Sequence, residues 1–311
     1  MNEFTLLSEI EAHAVSIAGK AGEILLSHFN QPIDVQFKGK GRRDPVTLAD
    51  RHSDEYLRVA IRERFPEHGI LSEEGEAVRA PDSPFTWVLD PLDGTVNFMN
   101  GLPVFAVSVG VLRDGQPVVG SIYTPVSHQA AAGVYHARLG NGAWLNNERI
   151  DIARPPSGRP LAAMPIGRGF RLTGRSRKEP RETRSTGSMA VDLAFAAAGV
   201  FQYALFGRPK IWDVAAGVLL VKEAGGTAVA KRRRQEWQPL DRFEPSSDRK
   251  QALGGLGGWS IPLLVGAHEA VTRVTRDIRG PAFRWSLLGW HRRDHVKRQG
   301  TGNDQVRSQT G

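Results

Sequence analysis

From Phe4 to Phe29 the apolar residues Leu7, Ile10, Ala14, Ile17, Ala21, Ile24 and Leu25 recur at intervals of three and four, with polar residues between them. That spacing predicts an amphipathic helix, closed by Pro32. A Gly-punctuated basic segment, KGKGRRDP, follows, and Thr47 then stands as a helix N-cap with Asp50 three residues on. The second helix carries Leu48, Tyr56, Leu57, Ala60 and Ile61 on its apolar face and ends near Phe65-Pro66. Asp50 therefore falls in a first helical turn. The runs GIL and FTWVLD read as strands that deliver Ser72-Glu73-Glu74 and Asp90 at their ends.

Downstream, VFAVSVGVLRDGQPVVGSIYTPV reads as two strands about Asp114-Gly115, and QAAAGVYHARLGNGAWLNN as another pair about Gly140-Asn141-Gly142. This is an antiparallel meander. Beyond a Pro/Arg-rich link the pattern alternates: helix over Met189 to Ala198, strand over Phe201 to Leu205, helix over Trp212 to Ala224 stopped by Gly225-Gly226, strand over Ile261 to Val265, and helix over Ala267 to Ile278. The expected organisation is an N-terminal α+β lobe (1–153), a C-terminal α/β lobe (154–280) and a poorly ordered basic tail (281–311).

With 40% hydrophobic residues in 311, the chain can bury a substantial core. Its net charge of +8 is uneven: residues 1–153 carry −7 and residues 154–311 carry +15. The excess lies in Arg154 to Arg184, in Lys231 to Arg234 and in the tail, stretches with the composition of loops. No aromatic-interleaved basic motif accompanies it, so a nucleic-acid partner is not expected. Cysteine is absent, which removes disulfides, thiolate nucleophiles and Cys-ligated zinc. Neither a basic leader nor a long apolar run is present, and a cytoplasmic location without membrane contact is the expectation.

Glu73, Asp90, Asp93 and Asp213 all stand where a backbone element ends or begins. Such positions gather on one edge of a sheet, and carboxylates that converge there repel one another unless a cation neutralises them. An all-oxygen donor set suits Mg²⁺ better than zinc. Gly94-Thr95 follows directly and offers backbone N–H groups to an anion, so metal and phosphate sites would adjoin. A covalent aspartyl-phosphate of the haloacid dehalogenase kind does not fit, because the spacing here is DxxD and no Asp-Asp dipeptide occurs.

Together, GILSEEGE, WVLDPLDGTVNF and IWDVAAGVLLVKEAGG strongly resemble the inositol monophosphatase family of Mg²⁺-dependent, lithium-sensitive phosphatases, over roughly residues 5 to 280. The resemblance implies a five-layered αβαβα sandwich. It implies that Glu73, Asp90 and the carbonyl of Leu92 hold one Mg²⁺, that Asp90, Asp93 and Asp213 hold a second, and that a weaker third sits near Glu73. Thr95, oriented by Asp50, would with Glu73 position the attacking water, and the Gly94 and Thr95 amides would cradle the phosphate. Lys38 stands where relatives carry a basic residue near the active site, and many relatives are homodimers.

The substrate-facing positions depart from the family pattern. Phe206 stands seven before Asp213, where inositol-specific members carry an acid, and the G-[ST]-A turn reads Gly187-Ser188-Met189. An apolar residue in place of a hydroxyl acceptor weakens a polyol. The expected activity is hydrolysis of a small soluble phosphate monoester by metal-activated water. Alternatives within the family are a bisphosphate (3′-phosphoadenosine 5′-phosphate or fructose 1,6-bisphosphate), which an arginine-rich 154–184 link would suit, or histidinol phosphate. From another class, the +15 half suggests a non-catalytic polyanion-binding protein on the same scaffold.

Overall fold

A computed structural model describes residues 3–31, 35–37, 45–153, 160–164, 171–178, 182–232, 235–245 and 255–279. Lys38, residues 154–159, 165–170 and 179–181 of the arginine-rich link, Arg233-Arg234 and the 281–311 tail lie outside the described residues. Six helices are described: α1 (Glu3–His28), α2 (Leu48–Arg64), α3 (Thr95–Met99), α4 (Met189–Ala197), α5 (Ile211–Glu223) and α6 (His268–Asp277). In chain order the strands are β1 (Val35–Phe37), β2 (Pro45–Thr47), β3 (Gly69–Ser72), β4 (Phe85–Asp93), β5 (Ala106–Arg113), β6 (Gln116–Thr124), β7 (Gly133–Arg138), β8 (Ala143–Leu145), β9 (Glu148–Ile150), β10 (Leu161–Ala163), β11 (Arg171–Leu172), β12 (Glu182–Arg184), β13 (Phe201–Phe206), β14 (Thr227–Lys231), β15 (Trp237–Pro239), β16 (Leu263–Gly266) and β17 (Ile278–Arg279).

β3 to β9 form a seven-stranded sheet in sequence order, antiparallel apart from the parallel β3–β4 pair. A six-stranded mixed sheet runs β12-β10-β13-β16-β14-β15. The apolar stripe of α1 packs with Leu57 and Ile61 of α2 on one face of the first sheet. Helices α4 and α5 fill the space between the two sheets, and α6 covers the far face of the second. The order of layers is α, β, α, β, α. No helix among the described residues is long and apolar enough to cross a membrane.

The predicted helices and meander form as their periodicities require, with one correction. Leu48 is 50% exposed, and the inward face of α2 is instead Ala49, Ser53, Leu57 and Ile61, with Asp50 and Asp54 buried alongside. A first-turn residue points according to its cap, and Thr47 sets that turn: Thr47 N–H donates to Asp50 Oδ2 at 2.8 Å, a capping box that turns Asp50 inward.

Two features set the site geometry. First, β4 gains one residue relative to β5 between Asp90 and Asp93, the partners being Ser108 and Ala106. Strict alternation would send residues three apart to opposite faces; this bulge, which also tolerates Pro91, lets both carboxylates approach one side. Second, α5 lies close on β5 and β6 at glycines. A Cβ on Gly120 would stand 2.5 Å from the Ala216 carbonyl, and one on Gly110 would stand 3.0 Å from Ala215 Cβ. Ser108 Oγ–H donates to the Trp212 carbonyl at 3.2 Å, which anchors the start of α5 opposite Asp90. Gly120→Val forces helix and sheet apart, and urea denaturation is expected to show a loss of roughly 2–3 kcal/mol.

Candidate active site

The parallel register of β3 with β4 pairs Ser72 with Leu89, so the next residues, Glu73 and Asp90, emerge side by side. Asp213, in the first turn of α5, completes the group: one carboxylate oxygen from each of Glu73, Asp90 and Asp213 lies within 4.8 Å of the others. Among the described residues this is the cluster with the donors to hold a metal ion. Asp90 is 1% and Asp213 7% exposed. Burial, then the charges of Glu73, Asp93, Asp213 and Asp50, push the Asp90 carboxyl well above the usual range. Asp213 is likewise raised, by burial and then by Asp93, although Lys210 N–H donates to its Oδ2 at 2.7 Å. Three hard oxygen donors whose mutual repulsion is this strong fit a divalent cation of the Mg²⁺ type.

Asp93 sits beside this trio with one oxygen turned toward the start of α4. Its Oδ2 accepts from Ser188 Oγ–H at 2.7 Å and from the Ala190 N–H at 2.5 Å. Burial pushes its carboxyl up to about 6 against those hydrogen bonds. Leu92 N–H donates to Asp90 Oδ1 at 3.1 Å, and Ser53 Oγ–H donates to the Pro91 carbonyl at 2.9 Å, so α2 holds the bulge from below.

Asp50 approaches the same place from α2. Thr47 occupies its Oδ2, while Oδ1 lies 3.4 Å from Thr95 Oγ1. The Thr95 hydroxyl has one proton and two acceptors in reach, Asp50 and the Leu92 carbonyl at 3.1 Å. Burial pushes the Asp50 carboxyl up to about 6. Gly94 adopts φ 95°, and a Cβ there would meet the Val104 carbonyl at 3.0 Å, so the turn between β4 and α3 requires glycine.

Gly187, Ser188 and Met189 adjoin Asp93 through the Ser188 hydroxyl and the start of α4. Phe206 does not join the group. It is 4% exposed, at the end of β13, within the apolar core between the sheets. Sequence reasoning overlooked two polar residues. Asn97 Nδ2 donates to the carbonyls of Val104 (2.7 Å) and Thr186 (2.8 Å), which joins the DPLDGT turn to the Gly187 turn. Asp192, buried and raised to about 7 by burial, accepts from Thr186 Oγ1–H at 2.8 Å. A lone amide in VNF and a lone acid in the otherwise apolar MAVDLAFAA were the available signals. Asn97→Ala leaves two carbonyls without their donor and is expected to lower stability by about 2–3 kcal/mol, read from urea midpoints.

A family model described as "Inositol monophosphatase family" matches residues 6–243. The chain belongs to the inositol monophosphatase family. An inositol-1-monophosphatase of Mesorhizobium japonicum is 37% identical over 225 residues, which cover 68% of this chain and 82% of that protein. The Nus factor SuhB of Escherichia coli is also 37% identical, over 229 residues covering 68% and 82%. In the crystal structure of the extragenic suppressor protein suhB from Bartonella henselae, the same fold recurs with a TM-score of 0.65 at 28% identity, across 86% of this chain and 98% of that one. The family's sandwich is thus the fold of this chain.

Proposed function

We propose that this chain is a Mg²⁺-dependent phosphomonoesterase. The observation that carries this reading is the convergence of the Glu73, Asp90 and Asp213 carboxylates beside the Gly94-Thr95 turn. Glu73, Asp90 and the Leu92 carbonyl would hold one cation, and Asp90, Asp93 and Asp213 a second, with a weaker third near Glu73. Bound there, the cations would lower the pKa of a water, polarise the phosphoryl group and offset charge on the leaving oxygen.

The chain's own groups then have defined tasks. The Thr95 hydroxyl donates to Asp50, which leaves its oxygen lone pairs to accept from the attacking water, while Glu73 accepts the second water proton. Gly94 and Thr95 supply amide donors to the phosphate, and Gly187 to Met189 border its leaving group. Lys38 would add positive charge nearby. Phe206 lies in the core and position 206 offers no carboxylate to a polyol hydroxyl, so the ester is expected to have a less hydroxylated leaving group than inositol.

The test is phosphate release from inositol 1-phosphate, a nucleoside 3′-phosphate, fructose 1,6-bisphosphate and histidinol phosphate, with and without Mg²⁺ and with added Li⁺. Metal-dependent, lithium-inhibited turnover of at least one ester is expected; no metal-dependent turnover on any of them would sink the proposal. A second reading, polyanion binding, draws on the +15 of residues 154–311 and on relatives whose name is Nus factor. Retention of the acid set favours the phosphatase, and nucleic-acid binding that weakens steeply with salt would favour the alternative.

A further inference from the structure

Behind Glu73 lies a buried polar chain built on Arg58, Asp54 and Ser72. Arg58 and Asp54 are one turn apart on α2, with side chains 13% and 11% exposed. Arg58 Nε–H donates to Asp54 Oδ2 at 2.7 Å, and Ser72 Oγ–H donates to the other Asp54 oxygen. Arg58 Nη1–H donates to the Glu76 carbonyl at 2.8 Å. The third nitrogen, Nη2, is buried without a hydrogen-bond partner and lies against Gly75, where an added Cβ would stand 2.2 Å from it. One guanidinium–carboxylate pair therefore grips the chain at Ser72, at Gly75 and at Glu76, on both sides of Glu73.

The rest of the loop is fixed at its ends. Ile70 and Val78 exchange backbone hydrogen bonds of 2.9 and 2.7 Å, and Glu73 N–H donates to the Leu89 carbonyl at 3.1 Å. Those bonds hold the Glu73 backbone against β4, and the Arg58 contacts at Gly75 and Glu76 act on the outgoing turn. Burying an arginine with one nitrogen unpartnered is unfavourable for stability alone. A rigid Glu73 gives that arrangement a purpose, since a ligand carboxylate must sit within tenths of an ångström of its place.

We infer that Arg58 and Asp54 are positioning residues that hold the Ser72–Glu76 segment so that Glu73 is pre-set as a metal ligand. The inference rests on the phosphatase reading for its metal, but not on any particular ester. An aliphatic residue at 58 would still pack, yet it would release the segment at Glu76 and leave Asp54, which holds Ser72, without its guanidinium partner. A lysine could reach Asp54 or the Glu76 carbonyl, but as a single point donor it could not span both.

The experiment is Mg²⁺ titration calorimetry on the full chain, beside thermal melting of the metal-free protein. Arg58→Met is expected to weaken Mg²⁺ binding about 10-fold or more. Arg58→Lys is expected to recover only part of that loss. Ser72→Ala deletes a single hydroxyl and is expected to bind Mg²⁺ several-fold, roughly 3- to 10-fold, more weakly, while the metal-free protein melts a few degrees lower but stays folded. In the double variant Arg58→Met/Ser72→Ala the losses should fall short of additive, because both act through Asp54. If Arg58→Met does not fold, Ser72→Ala decides. Wild-type Mg²⁺ affinity in the folded variants overturns the positioning role and leaves the phosphatase reading standing. A wild-type chain that binds no Mg²⁺ overturns both.

Discussion

Asp90→Asn is expected to reduce Mg²⁺-dependent phosphate release by roughly 10³-fold or more, while the metal-free protein melts no lower than wild type. The two halves of that expectation have one cause. Asp90 is the most buried member of the trio and the carboxylate assigned to both cations, so replacing it by a neutral amide removes charge from each. In the metal-free protein the same charge is a liability. Among the described residues its backbone donor is Leu92 N–H, set against the repulsion of Glu73, Asp93, Asp213 and Asp50. Asparagine keeps the carbonyl that accepts from Leu92 and relieves the repulsion. A carboxylate with a purely structural role would behave oppositely, with stability falling and activity following it. Phosphate-release assays at saturating Mg²⁺, together with calorimetric melting, separate the cases; activity within about 10-fold of wild type would remove Asp90 from the metal site.

Much of this site was readable in the chain, for definable reasons. The capping box at Thr47 and the strand-end acids are local patterns, and local patterns survive folding. DPLDGT carries its own geometry, because Pro91 marks the bulge and Gly94 the positive-φ turn. The convergence of Asp213 with Asp90 is different in kind. It depends on Ser108 anchoring α5 and on glycines at 110 and 120 admitting the helix, contacts between residues about a hundred positions apart. No periodicity encodes such a pairing; the family resemblance supplied it. Leu48 and Phe206 show the limit from the other side. Leu48 fits an apolar stripe yet faces outward because its turn is ruled by the cap, and Phe206 aligns with a substrate position yet lies in the core. Position along the chain fixes which element a side chain belongs to, whereas the direction it points depends on what packs against that element. The pairing of Arg58 with Asp54 is a local one, but the reach of that pair to Glu76 and Ser72 was unreadable for the same reason, since those residues meet it only when α2 packs behind β3.

Mg²⁺ is expected to raise the melting temperature at pH 8 by several degrees more than it does at pH 5. The folded protein holds Asp50 and Asp93 at about 6, against 3.8 for an ordinary aspartate. For a carboxyl raised on folding, the native state binds more protons than the unfolded one between those two values. Stability of the metal-free protein therefore falls as pH rises from about 4 toward 6, and the full penalty remains above that. Asp90 and Asp213 are raised in the same direction, so the penalty is shared across the cluster. A cation that binds the ionised cluster offsets this penalty where the carboxyls are already charged. At pH 5 it must first displace their protons, so binding is weaker and its effect on stability smaller. The imidazoles of half-buried His13 and buried His68, which desolvation holds below their usual pKa, destabilise the fold in acid by a separate route. They lie in the aromatic cluster with Phe65 and Trp87, so their contribution is common to the metal-free and Mg²⁺-loaded samples at each pH and drops out of the difference. Calorimetric scans with and without Mg²⁺ at the two pH values provide the measurement. An increment at pH 5 equal to that at pH 8 would mean that Mg²⁺ does not bind these carboxylates.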